Sequence, residues 1–385
     1  MTRLSFCSSI QPNMIPGLDG LRALAFLLVF AFHTEYIGFG WVGVQLFFVL
    51  SGFLITGILL DMKKSLPPKE YFIKFYGRRF LRIFPLYYFY LLLMSGVTTW
   101  LISISYRRAY MRIFQSQVWY AVFYVYDFFF STIYVKYTDF LDHFWSLSVE
   151  EQFYIFWPLM ILLVPEKWLK KLIVTFIALG PIFRIVFFFI HRSGIFRILI
   201  SPVDTALYPL PFSYIEAFAF GAYISRYPIP KAKQQFFLLL VGLPLIGFAS
   251  QYFATGSLGD ILSFGFPFLM PQAYQFIWGY TVLGYFFMVI IYLVAYYGMF
   301  NRLLDSVAMR YLGKISYGLY IYHFPVLWFS SHLLDFGLPD NLGKPLTAFV
   351  ALIATLIVAS ISYRFLERPL LNLKDRFFAL KPGPL

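Results

Sequence analysis

The chain has 385 residues, 60% of them hydrophobic and 13% charged. A water-soluble domain cannot cover that much apolar surface, so a bilayer is the solvent for most of it, as one integral membrane domain over 1–385. The net charge of +13, from 31 basic and 18 acidic residues, reads as basic cytoplasmic loops, and no nucleic-acid partner is expected.

A single cysteine, Cys7, excludes an intrachain disulfide and a Cys-rich metal site, and no metal is expected. The first twenty residues lack an apolar signal core, so the first span is expected to be retained. Apolar runs of spanning length occupy 20–38, 41–60, 83–103, 144–164, 169–190, 210–226, 236–254, 275–298, 314–334 and 345–364. An eleventh, 113–134, is aromatic and interrupted by Asp127. The segment 61–82 carries Lys63, Lys64, Lys69, Lys74, Arg78, Arg79 and Arg82, which marks it as cytoplasmic. Leaving 113–134 uncrossed keeps the later basic segments on the same side. The expected architecture is therefore an all-α polytopic bundle of about ten helices, both termini cytoplasmic. Arg107, Arg108 and Arg112 are the exception, left outside.

In the first span, "GLRALAFLLVFAFHTEYIG", Arg22 and His33 are eleven residues apart. At 100° per residue that is close to three turns, so both share one face, ~16 Å apart along the axis, with Asp19 nearby. Ionisable groups in a membrane helix are functional candidates by default; the alternative is snorkelling at the two edges. In "FYGRRFLRIFPLYY" Arg79 and Arg82 are three apart on one face, placed to clamp phosphates or simply to anchor the cytoplasmic edge. In "DHFWSLSVEEQFYIFWP" Ser146, Glu150 and Tyr154 share a face, with Glu151 about 100° away. A carboxylate there can support an imidazole, act as a base, or hold helices together as a buried pair. His323, just before "FP", reads as a structural bond to a neighbouring helix at the Pro325 break. Glu367 with Arg368 reads as an ion-pair anchor, and Glu216 lies in an outer-side helix.

Six pieces occur in order over 16–369: "GLDGLRALAFLLVFAFH", "GVQLFFVLSGFLIT", "RRFLRIFPLYY", "FWSLSVEEQFYIFWP", "ISYGLYIYHFP" and "RFLERP". Together they resemble the acyltransferase-3 family of integral membrane acyltransferases, which modify surface polysaccharides such as O-antigen and lipid-linked glycans. The resemblance implies transfer of an acyl group, usually acetyl, from cytoplasmic acyl-CoA to a sugar hydroxyl. It implies no permanently bound cofactor, with acetyl-CoA as co-substrate and a bacterial inner membrane as location. The family's essential Arg and His map onto Arg22 and His33, and its Arg-x-x-Arg pair onto Arg79 and Arg82. Some members carry a fused extracytoplasmic hydrolase-like domain, which is not expected here. Where relatives show Arg two residues before an acidic residue, this chain has Tyr214 before Glu216. The expected chemistry has His33 as general base, aided by Glu150 or Glu151, with Ser146 and Tyr154 as oxyanion donors; a covalent acyl-His relay is the second route. The competing class is a transporter or flippase for lipid-linked sugars, whose usual repeat symmetry is not visible.

Overall fold

A computed structural model describes residues 15–195, 199–333 and 339–379; Cys7 lies outside them. Among the described residues there are helices and no β-strand, only an isolated bridge between Thr132 and Ile200. The helices are α1 (Leu18–His33), α2 (Val42–Ser65), α3 (Pro68–Ser103), α4 (Arg108–Val122), α5 (Tyr126–Phe130), α6 (Phe144–Leu163), α7 (Glu166–Arg192) and α8 (Val203–Leu207). They continue as α9 (Ile215–Ile224), α10 (Ala232–Thr255), α11 (Gln275–Tyr297), α12 (Asn301–Leu304), α13 (Val307–Lys314), α14 (Ser316–Leu333), α15 (Asp340–Ser362) and α16 (Arg368–Phe377). The chain is a polytopic helical membrane protein. Among the described residues six helices are long and apolar enough to cross a bilayer: α2, α3, α7, α10, α11 and the continuous run from α15 into α16.

Prolines set several boundaries that hydropathy alone misplaces. The basic segment 61–82 is not a loop. α2 runs on to Ser65, and Pro68 opens α3 fifteen residues before the apolar run, because Pro fits the first helical turn. Arg79 and Arg82 therefore stand on a rigid helix. The run 210–226 yields only the 10-residue α9, ~15 Å long, bracketed by Pro209, Pro211, Pro228 and Pro230. Its apolarity reflects burial on every side, against α2, α7 and α11. The run 113–134 is broken at Tyr124 (φ 54°) into α4 and α5.

α2 is the central post, with 72% of its most apolar stretch buried, whereas α7 buries 17% of its own. α2 and α9 approach through two glycines. A Cβ on Gly52 would lie 2.0 Å from the Phe218 carbonyl oxygen, and one on Gly221 2.0 Å from that of Val49. Small residues let membrane helices touch backbone to backbone where lipid offers no hydrophobic drive. Gly221→Val should therefore push the helices apart at a cost of about 1–3 kcal/mol. Thermal unfolding in detergent checks this, and an unchanged midpoint would refute the contact.

α7 is tied to the same α9 by a buried ion pair. Arg184 donates from Nη2 to Glu216 Oε1 at 2.7 Å, and both side chains are fully buried. Its other donors reach the carbonyls of Ile277 at 2.8 Å and Ser213 at 2.7 Å, and Thr281 Oγ1 at 2.8 Å. Thr281 donates to Glu216 Oε2 at 2.9 Å. The guanidinium that the sequence lacks beside Tyr214 is thus supplied from another helix. Glu216→Leu alone should cost about 3–5 kcal/mol, because it strands a buried cation. The double variant with Arg184→Met should be clearly more stable than that single one when both are melted side by side.

Candidate functional site

α1 starts beyond Gly17, whose φ of 84° is a left-handed backbone suited to glycine. One turn in, Arg22 Nη1 donates to Asp19 Oδ1, the i,i+3 geometry expected for helix neighbours. The rest of Arg22 faces a cavity of about 130 Å³. α3 adds Arg79 and Arg82 to the same wall, and α6 adds Ser146, Glu150 and Tyr154. The helical periods read from sequence thus converge: three arginines and one acidic face meet in one space.

Glu150 is held by two hydroxyls. Ser51 of α2 donates to its Oε1 at 2.5 Å, and Tyr154 donates to the same oxygen. The Arg79 guanidinium carbon lies 5.5 Å from the Tyr154 ring centroid and 5.9 Å from that of Phe75, within cation–π range. Among the described residues Arg22 is paired with Asp19, while neither Arg79 nor Arg82 is ion-paired, and Arg79 Nε is buried without a partner. Two further hydroxyls extend the polar wall: Ser146 Oγ and Tyr320 Oη are 2.5 Å apart. Ser51 and Tyr320 escaped the sequence reading. Ser51 sits in the quoted "GVQLFFVLSGFLIT", and Tyr320 falls three residues before His323, but a lone hydroxyl in an apolar run carries no periodic signal.

His33 lies outside the cavity wall. Its ring packs against Phe324 at 4.2 Å, Phe32 at 5.1 Å and His323 at 5.3 Å, between centroids. Glu150 makes its hydrogen bonds to Ser51 and Tyr154, and none to His33 among the described residues. Glu151, about 100° around α6, does not line the cavity either. It is 7% exposed, and its Oε1 finds no partner.

The Pro325 break works differently from the expectation. Pro325 has no N–H, so the Ile321 carbonyl loses its helical donor. His143, not His323, takes it, with Nε2 at 3.1 Å. His323 instead donates from Nδ1 to the Tyr320 carbonyl of its own helix at 2.6 Å. A carbonyl only accepts, so each bond fixes the tautomer and leaves a lone pair on the other nitrogen. Those nitrogens, His143 Nδ1 and His323 Nε2, are buried without partners. The two rings are 5.5 Å apart.

Glu367 is buried rather than paired at the edge. It ends a π-helical turn, Tyr363–Glu367, and one of its oxygens would meet a Cβ on Gly318 at 3.2 Å. That oxygen, too, has no hydrogen-bond partner. No group of three or more His, Cys, Asp or Glu that could hold a metal occurs among the described residues.

A family model described as an acyltransferase domain, of the acyltransferase-3 type, matches residues 15–364. The peptidoglycan O-acetyltransferase OatA of Listeria monocytogenes is 29% identical over 379 residues, covering 92% of this chain and 56% of that protein. The O-acetyltransferase OatA of Staphylococcus aureus is 28% identical over 389 residues, covering 97% and 60%. The chain therefore spans a little over half the length of these relatives. No solved structure matches it. With the family match running from the base of α1 through the first five ordered motifs to the start of the sixth, the chain belongs to the acyltransferase-3 family.

Proposed function

We propose that the chain transfers an acyl group, acetyl by preference, from cytoplasmic acetyl-CoA to a hydroxyl of a cell-surface glycan. The carrying observation is the cavity in which Arg22, Arg79 and Arg82 converge on the carboxylate of Glu150, while neither Arg79 nor Arg82 forms an ion pair among the described residues. Cations facing a low-dielectric cavity repel one another unless an anion joins them. CoA offers phosphates of the matching charge, and paired guanidinium groups bind phosphate with directional bonds. CoA acts here as co-substrate, with no permanently bound cofactor.

The reading places the donor's phosphates at Arg79 and Arg82 and runs its pantetheine arm inward past Glu150. His33, three turns along α1 from Arg22, takes the proton of the acceptor hydroxyl. A neutral imidazole suits that task near pH 7. Ser146 and Tyr154 are the donors for a developing oxyanion, their hydroxyls turning to it from the His143 carbonyl and from Glu150. The name of the Listeria relative points to peptidoglycan as the acceptor class, ahead of O-antigen or lipopolysaccharide. A bacterial cytoplasmic membrane gives access to both substrates. The flippase alternative draws nothing from the family match.

Two variants separate the roles. His33→Ala, purified and folded, should lose acetyl transfer by about 100-fold or more while still binding CoA in a calorimetric titration. Transfer near the wild-type rate would remove the base. Arg79→Ala with Arg82→Ala should weaken acetyl-CoA binding by roughly 10-fold or more, since a charge-assisted bond contributes about 1.5–3 kcal/mol. An unchanged affinity would remove the phosphate role.

A further inference from the structure

A base that takes a proton needs a partner for its other ring nitrogen, to hold the tautomer and to stabilise the imidazolium. A carboxylate is the usual choice. Here Glu150 is bonded to Ser51 and Tyr154, and Glu151 Oε1 is buried without a partner, so neither is bonded to His33. Among the described residues the His33 ring contacts are Phe32, Phe324 and His323. His323 is the one with a free acceptor. Its Nδ1–H is fixed on the Tyr320 carbonyl, so Nε2 holds an open lone pair, fully buried and without a partner. An orphaned buried acceptor costs about 1–3 kcal/mol and calls for an explanation.

We propose that His323 is the positioning residue of His33: its Nε2 lone pair accepts the His33 N–H, directly or through one water, in the place a carboxylate would take. This rests on the reading of His33 as base. A ring separation of 5.3 Å leaves a gap that a rotation of the half-buried His33 closes, as catalytic hydrogen bonds often tighten only with substrate bound. The bookkeeping is that of acyl transfer. The acceptor O–H proton moves to the lone-pair nitrogen of His33 as the new C–O bond forms. The C–S bond breaks, and the thiolate leaves with that proton as CoA thiol. Throughout, the other His33 nitrogen keeps its proton on His323, which is neither consumed nor ionised. His323 holds its own orientation through the Tyr320 carbonyl, and Tyr320 lines the donor cavity. The donor and acceptor ends are thereby braced on one turn of α14.

The test compares two replacements in the purified full chain, using acetyl-CoA and a short glycan acceptor. His323→Phe keeps a ring but removes the acceptor, and should lower kcat at least 10-fold with the KM for acetyl-CoA within twofold. His323→Gln offers an amide oxygen and should recover at least a third of the lost logarithm of rate. Melting temperatures of the two variants should not track those rates. A wild-type kcat in His323→Phe, or an equal loss in both variants that follows the folded fraction, overturns the positioning role. If His33→Ala remains active, the base reading itself falls. If His33→Ala is dead while His323→Phe is fully active, only the positioning role falls.

Discussion

The governing constraint is the cost of charge inside an apolar medium. A buried ion must be matched by a counter-ion, by hydrogen bonds or by a ligand, or it does not stay ionised. The protein meets that rule in two contrasting ways. Arg184 and Glu216 satisfy each other completely, with Thr281 and two carbonyls taking up further donors and acceptors. That site is closed and has nothing left to offer a substrate. Arg22, Arg79 and Arg82 share a cavity with Glu150, whose charge is already shared by Ser51 and Tyr154. With three guanidinium groups and one carboxylate on its wall, the second site keeps donors to offer an anion, as the first does not.

Helix lengths follow from a second constraint, the need to satisfy every backbone group away from water. Prolines inside α3, α6, α7, α10, α14 and α15 each remove a donor. At α14 the carbonyl left free is reused by His143 from α6. A defect in one helix thus becomes the docking point for another, and His33, His143 and His323 are gathered around it. The short α9 follows the same logic, since its half-length is tolerable only inside protein. It is packed against α2 at backbone contact and against α7 through the ion pair.

Much of this was legible in the sequence because membrane helices have strict periodicity. Spacing groups Arg22, Arg79, Arg82, Ser146, Glu150 and Tyr154 on shared helix faces, the family resemblance gives them weight, and one cavity holds them all. Three kinds of information were missing. Apolarity does not separate a lipid-facing span from an interior half-helix, so α9 was read too long. Basic residues are a signal of sidedness but not of loop structure, so the basic half of α3 carries no sequence mark that separates it from a loop. Contacts between helices have no local signature, which hid Arg184 behind Glu216, and Ser51 behind Glu150. The pairing of a carboxylate with His33 failed for the same reason: one face of α6 was identified, but its height against α1 was not.

Height matters for the chemistry. α1 and α6 run in opposite senses, so moving from Arg22 towards His33 means moving from Tyr154 through Glu150 and Ser146 towards His143. α14 marks the same axis from Ser316 and Tyr320 at the cavity to His323 beside His33. The polar groups therefore form a graded sequence, cationic at the α3 end, hydroxyl-rich in the middle and imidazole-rich beyond. A thioester anchored by phosphates at the first would present its carbonyl among the hydroxyls and its leaving sulfur beside them. The acceptor's proton would be removed at the imidazole end, where no carboxylate competes for it. Such a gradient suits a reaction whose two substrates come from opposite sides, because each meets the group it needs before it meets the other substrate.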